Sequence, residues 1–327
     1  MSSRTATHAG SWYSDDKSFL YSQLSAWLEN VFSSAQDRSY PIAGVNAVIS
    51  PHAGYEYSGE TAAYAFACVE PKAFKKVFIL GPSHHSYLQN CALTSFDYYS
   101  TPLGDLKINH SVNSELQALG VFSTMAESVD EDEHSIEMQL PYLARVFEGY
   151  LDSVEFIPVL VGNLSSNAEK KFGKIFAPYL KDQSNLFVIS SDFCHWGSRF
   201  QYQMYSSDPV PSDSLSEYHM ASNLSLPIHT SIENLDREGM SKIEKCTHAH
   251  FDSYLKKTNN TICGRHPLAV LLAAIEELYP EKSRQSFVSP KKALPRISFN
   301  YYAQSSQITQ PRDSSVSYAA GHLLHPE

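Results

Sequence analysis

Four short apolar runs constrain the fold of this chain more than any other feature. They lie at residues 45–49, 76–80, 155–161 and 185–189. Within each run the apolar residues are consecutive rather than alternating with polar ones, which is typical of strands buried on both faces. Such strands occur in parallel sheets that helices cover on both sides. The runs therefore predict a largely parallel or mixed central sheet.

The segments between these runs show helical periodicity and are long enough to connect parallel strands. They lie at 60–69, 111–119, 135–150 and 168–180, with further helical patterns at 17–32 and 264–278. We predict an α/β fold, a three-layer α/β/α domain that spans residues 1–327. Two irregular stretches, 206–229 and 280–296, are predicted to be surface-loop excursions from this domain.

Composition excludes several classes of protein. The 327 residues are 43% hydrophobic and 18% charged, enough apolar material for a sizeable core. The formal charge of -10 repels phosphate backbones, so we predict no nucleic-acid partner. No stretch approaches the ~20 apolar residues that cross a bilayer, and the N-terminus lacks the apolar core of a secretory signal. We expect a cytoplasmic protein without membrane insertion, with the nucleus as a second location.

Three of the four runs end in polar motifs that contain histidine or aspartate. They are SPHAG at 50–54, GPSHH at 81–85 and SSDFCHWG at 190–197. In open α/β sheets, ligands bind where loops converge at the carboxyl ends of the strands. We therefore expect these loops to meet in one crevice.

His52 and His84 follow the first two runs and lie 32 residues apart, the length of one strand–helix–strand unit. If their strands are adjacent, the two imidazoles lie close together and can bind Fe, Cu, Ni or Zn. A third ligand is needed, and the candidates are Cys263, Asp192, His195, His134 and Glu137. The alternative is that these residues only satisfy loop backbone. Several in parallel positions favour a shared functional site.

Seven motifs in order give a specific resemblance. They are THAGSWY (7–13), PHAGY (51–55), GPSHH (81–85), EHSIEMQLP (133–141), SDFCHWG (191–197), NTICG (260–264) and DSSVSYA (313–319). With these motifs the chain resembles the MEMO family, mediators of receptor-tyrosine-kinase-driven cell motility, and the match indicates a eukaryotic member such as the fungal homologues linked to invasive growth.

This resemblance implies a fold and a ligand set. The family is similar to class III extradiol dioxygenases, non-haem iron enzymes that hold their metal with two histidines and a glutamate. His52 and His84 match the two histidines, and Cys263 stands where the carboxylate would be. A thiolate donates more charge than a carboxylate and also suits copper or zinc. The resemblance thus implies iron(II), with copper as the alternative, and redox activity rather than efficient ring cleavage. The thiolate ligand adds zinc as a third option.

Further pocket residues follow from the same motifs. His195 is a candidate general base near neutral pH, with Asp192 as its orienting group; the alternative is hydrogen bonding to metal ligands. His134 and Glu137 are one helical turn apart, so both can face the crevice.

Two functions remain open at this point. The first is a metal-dependent oxidoreductase. The second is a non-catalytic adaptor that binds phosphotyrosine-type peptides or other protein partners through the same cleft, as the resemblance also implies. Trp12, Tyr55 and Arg265 could then supply an aromatic wall and a cation. A serine or cysteine hydrolase is disfavoured because the sequence has no GxSxG motif.

Overall fold

A computed structural model describes residues 1–34, 40–205, 219–220, 226–280 and 294–325. Most strands belong to one mixed sheet. The strands are β1 (Ser3–Arg4), β2 (Val45–Ser50), β3 (Lys76–Pro82), β4 (Cys91–Leu93), β5 (Tyr98–Tyr99), β6 (Leu106–Lys107), β7 (Phe122–Thr124), β8 (Glu155–Val161), β9 (Asn185–Ser190), β10 (His195–Trp196), β11 (Met204–Tyr205), β12 (His219–Met220), β13 (Arg296–Gln304) and β14 (Ser315–Leu324).

The central sheet has the order β10-β14-β2-β9-β3-β8-β4-β7, and β13 pairs with β14. The inner strands β2, β9, β3 and β8 are parallel to one another. β14 is antiparallel to β2, and β4 is antiparallel to β8. A parallel centre with antiparallel additions on both sides brings the carboxyl ends of the four inner strands to one edge of the sheet.

Helices cover both faces of this sheet. They are α1 (Lys17–Ser34), α2 (Tyr55–Phe66), α3 (His110–Gln117), α4 (Glu127–Asp132), α5 (His134–Glu137), α6 (Leu140–Val146), α7 (Ser166–Lys181), α8 (Ile228–Glu244), α9 (His248–Thr258) and α10 (Arg265–Leu278). Within the described ranges, none of them combines the length and apolar character needed to cross a membrane.

Burial on both faces of the sheet explains the continuous apolar runs. In β3, Phe78 packs in the core on one side while Val77 and Ile79 pack on the other. Phe78 stacks on Phe187 of β9 at 4.7 Å, beneath helices α7 and α10. Burying one such side chain contributes about 1.5–3 kcal/mol. The predicted three-layer α/β/α class is confirmed, and β2, β3, β8 and β9 each begin at the residue that the sequence predicts.

Helices α8 and α9 have no counterpart in the sequence prediction. The inner face of α8 buries Ser231, Asp236 and Glu238 beside its apolar residues, which interrupts the apolar periodicity. The predicted excursion at 206–229 lies mostly outside the described residues, although α8 already begins at Ile228. Of the predicted excursion at 280–296, residues 281–293 lie outside the described residues. Strand β13 begins at the last residue of this excursion, Arg296. The assignment of residues 1–327 to one domain stays a prediction.

One expectation about the sheet is wrong. The strands that precede His52 and His84 are not adjacent, because β9 lies between β2 and β3. The chain crosses from β2 to β3 through α2 and leaves a gap that β9 fills later. The two imidazoles still lie 5.2 Å apart between ring centroids, since both extend from loops at the same edge.

Candidate metal centre

His52 is held in a single tautomer by the end of β9. It is 2% exposed, and its Nδ1 lies 2.7 Å from Ser190 Oγ. The Ser190 hydroxyl donates its own proton to the carbonyl of Ser135 at 2.7 Å, so it accepts from His52 Nδ1–H. Nε2 of His52 therefore carries a lone pair, the form in which imidazole binds a metal.

Glu133 fixes His84 in the same way. Its carboxylate accepts hydrogen bonds from the backbone N–H of His84 at 2.7 Å and from Nδ1 at 2.9 Å. Burial alone would raise the pKa of Glu133, but the hydrogen bonds from His84 prevail and lower it to about 2. Because an ionised carboxylate only accepts, Nδ1 of His84 carries a proton, and in the neutral imidazole the lone pair is then on Nε2.

Cys263 completes the group from the loop between α9 and α10. Its Sγ lies 3.1 Å from Nε2 of His52 and accepts a hydrogen bond from the backbone N–H of Asp192 at 3.2 Å. One ligand atom each from His52, His84 and Cys263 lie within 4.8 Å of one another. Burial, and then the charge of Asp192, raises the pKa of the thiol well above its ordinary value. Metal binding here must therefore release a proton.

His134 lies beside the two histidines. Its ring stacks on His84 with centroids 4.3 Å apart. Burial, and then the neighbouring His52 and His84, lowers the pKa of His134 to about 2, so this imidazole is neutral. Together with His84 and Glu133 it forms a second group of donors, whose ligand atoms lie within 4.8 Å of one another.

Asp192 and His195 stand on the other side of Cys263, with which they form a third such group. Asp192 Oδ1 accepts the backbone N–H of His52 at 2.8 Å. Nδ1 of His195 faces two carbonyls, of Phe193 at 3.0 Å and of Thr261 at 3.1 Å, so it carries a proton and leaves Nε2 free to accept one. Backbone carbonyls thus orient His195, while Asp192 binds the backbone at His52.

A cavity of about 540 Å³ opens beside these groups. His52, His84, His134, Asp192 and His195 all contribute to its wall. The remaining wall combines aromatic residues, one arginine, several hydroxyl-bearing side chains and three small or aliphatic residues: Trp12, Tyr57, Phe200, Arg199, Ser11, Ser305, Ser314, Ser315, Tyr318, Ala53, Gly54 and Val316.

Three residues proposed for the pocket, Tyr55, Arg265 and Glu137, lie outside this wall. Tyr55 is 3% exposed and donates its hydroxyl to the carbonyl of Met138 at 2.8 Å. Arg265 begins α10 and is absent from the lining, in which Arg199 is the cation. The burial of Tyr55 follows from helix geometry, because the first residue of α2 faces the core.

Glu137 is also directed away from the cavity. It is fully buried and accepts hydrogen bonds from Arg4 Nη1 at 2.7 Å, His8 Nδ1 at 2.9 Å and the Tyr13 hydroxyl at 2.8 Å. These bonds tie the N-terminal segment to α5. Although His134 and Glu137 are one turn apart, only His134 reaches the cavity.

The sequence analysis missed several residues that the site uses. Glu133 and Ser190 lie inside quoted motifs, and the signal that could have found them is that metal-binding histidines usually donate their second N–H to an acceptor. Tyr57 and Arg199 carry no such signal, because their position at the cavity depends on chain crossings.

Fold and site together define a class: a three-layer α/β/α protein with a candidate metal centre of two histidines and a cysteine at the carboxyl edge of its sheet. A family model described as "Memo-like protein" matches residues 4–322. Protein MEMO1 of Xenopus laevis is 50% identical over 321 residues, which covers 98% of this chain and 97% of that protein. Protein MEMO1 of Homo sapiens is 49% identical over 320 residues, with 98% and 97% covered. Protein memo-1 homolog of Caenorhabditis elegans is 45% identical over 324 residues, covering 99% of this chain and 83% of that protein. The chain belongs to the Memo-like family.

Proposed function

We propose that this protein binds a transition metal through His52, His84 and Cys263, with redox-active iron(II) as the first choice, copper as the alternative and redox-inert zinc as a third option. The observation that carries the proposal is the convergence of their three ligand atoms within 4.8 Å. Both imidazoles offer Nε2, because Nδ1 of each is engaged by Ser190 or Glu133.

The donor set fits such an ion. Two neutral imidazoles and a thiolate suit Fe, Cu and Zn better than Mg or Ca, which prefer oxygen ligands. A bound iron or copper ion would supply one-electron chemistry, such as the reduction of oxygen. Neighbouring protein groups would fix the ligands, and Nε2 of His195 can accept a proton at the cavity wall.

The second candidate is an adaptor that binds a phosphotyrosine-type peptide or another protein through the cavity. The wall that joins Trp12, Tyr57 and Phe200 to Arg199 favours it, since an aromatic surface with a guanidinium suits a phosphorylated ring. By its resemblance to the family we also propose a role in motility or invasive-growth signalling, in the cytoplasm and also the nucleus.

Metal analysis tests the first proposal. Protein purified without added metal is measured by mass spectrometry of its elements, then reconstituted anaerobically with iron(II) or copper(I). We expect one ion per chain in the parent, and a loss of about 10-fold or more in affinity in His52→Ala, His84→Ala and Cys263→Ser.

Matched controls come from the same residue types away from the site. His110 is an exposed histidine paired with Asp97, and Cys91 is a buried cysteine of β4. His110→Ala and Cys91→Ala are expected to keep the parent's metal content. Equal metal content in Cys263→Ser and the parent would refute the ligand set. A metal-free, inert parent that binds phosphotyrosine in an Arg199-dependent way would favour the adaptor.

A further inference from the structure

Asp236 is a buried carboxylate that belongs to none of the seven motifs. It lies on the inner face of α8 and is 0% exposed. Its Oδ1 accepts hydrogen bonds from the backbone N–H of Cys194 at 3.2 Å and from Asn260 Nδ2 at 3.1 Å. Its Oδ2 accepts the hydroxyl of Tyr302 at 3.0 Å. These donors are all neutral, so the carboxylate is buried with hydrogen bonds but without a cation among them, an arrangement that costs stability.

The two donors to Oδ1 come from the two loops that carry one side of the metal centre. Cys194 lies between Asp192 and His195, and Asn260 lies three residues before Cys263. A single oxygen atom on α8 thus holds both loops. Oδ2 serves a different element, because Tyr302 lies on β13.

The same two loops are also joined to each other. The backbone N–H of His195 donates to Thr261 Oγ1 at 2.8 Å, and that hydroxyl donates to the carbonyl of His195 at 2.9 Å. Asp192 N–H donates to Sγ of Cys263 at 3.2 Å. The loops therefore form one unit, and a shift at Cys194 or Asn260 moves the thiol and the imidazole together.

We propose that Asp236 is a positioning residue, which fixes the loops of Asp192–His195 and Asn260–Cys263 and thereby sets where Cys263 and His195 stand. It acts through Cys194 and Asn260 and touches no ligand atom itself. The loop placement is independent of metal binding, and only its effect on affinity rests on the proposed function.

Thiol labelling measures the loop placement directly. Cys263 is partly exposed, whereas Cys68, Cys91, Cys194 and Cys246 are buried. The full chain is treated with an aromatic disulfide reagent in the presence of a chelator, and modification of each cysteine is followed by peptide mass spectrometry. We expect Asp236→Ala to raise the labelling rate of Cys263 by about tenfold or more, because a hydrogen bond to a charged acceptor is worth a factor of that order. Cys91, which is buried in β4 away from both loops, should keep its rate.

Two further variants separate positioning from general stability. Tyr302→Phe removes the hydroxyl that donates to Oδ2 and leaves both loop contacts at Oδ1, so Cys263 should label as in the parent. Asp236→Asn keeps an Oδ1 acceptor and should restore slow labelling. If Asp236→Ala does not fold, Asn260→Ala removes one loop contact and is expected to raise Cys263 labelling alone.

An unchanged labelling rate of Cys263 in Asp236→Ala would overturn the proposal, as it would in Asn260→Ala if that variant replaces it. A parallel rise in the labelling rate of Cys91 would also overturn it. So would an equal rise for Cys263 in Tyr302→Phe, or fast labelling of Cys263 that persists in Asp236→Asn. A cobalt(II) titration then measures the effect on metal affinity, and Asp236→Ala is expected to bind cobalt(II) about tenfold more weakly than the parent. A parent that binds no cobalt but shows the labelling pattern would refute the metal function and leave the positioning role intact.

Discussion

The ionisation of Asp236 makes a quantitative prediction about stability. Burial raises the pKa of Asp236 from its ordinary 3.8 to about 6, against the opposing hydrogen bonds from Ser317, Asn260, Tyr302 and Cys194. A folded-state pKa above the unfolded value means that the native state binds the proton more tightly. The contribution of this group to stability is therefore fully present below pH 3.8 and is lost as the pH rises through about 6.

The magnitude follows from the shift. The difference between 3.8 and about 6 is roughly 2.2 pH units, and at 1.36 kcal/mol per unit it amounts to about 3 kcal/mol over the whole window. Between about pH 5 and pH 7 the parent chain should lose about 1 kcal/mol of stability through this group. The side chain introduced by Asp236→Asn cannot ionise, so the unfolding free energy of this variant should lack that pH-dependent loss.

Urea unfolding at several pH values between about 5 and 7 measures the effect. Between the two ends of this pH range, the difference in unfolding free energy between Asp236→Asn and the parent should rise by about 1 kcal/mol in favour of the variant. Asp182→Asn is the control. A hydrogen bond from the backbone N–H of Ser184 lowers the pKa of the exposed Asp182. The contribution of Asp182 to stability is therefore lost as the pH falls, the opposite direction to that of Asp236. Parallel pH profiles for Asp236→Asn and the parent would refute the reasoning.

Three other predictions concern the site itself. Glu133→Gln should weaken metal binding about 10- to 100-fold, because the carboxamide keeps only one of the two acceptor oxygens that receive the backbone N–H and the Nδ1–H of His84; metal titration checks this, and unchanged affinity would contradict it. Gly264→Ala should destabilise the fold by about 1–3 kcal/mol in urea unfolding, because a Cβ would overlap Ser191; parent-like stability would show that the loop yields. The iron-loaded protein should open catechol rings well below about 1 per second, and a faster reaction that His195→Ala abolishes would restore the oxygenase interpretation.

The sequence determined the layers and the edge at which chemistry collects. Continuous apolar runs can be satisfied only by burial on both faces, so strands that begin at Val45, Lys76, Glu155 and Asn185 follow from local pattern alone. The position of His52 and His84 directly after two such strands fixes them to the carboxyl edge. These features depend on residues near each other in the chain, where periodicity is informative.

Tertiary structure decided which residues meet. That β9 separates β2 from β3 depends on how a later segment fills a gap, which no local pattern encodes. Glu133 reaches His84 across 49 residues, and Asp236 reaches Cys194 across 42. These pairs form because a buried polar group needs a hydrogen-bond partner, which can come from any part of the chain. The partner can therefore be identified only when the three-dimensional structure is known.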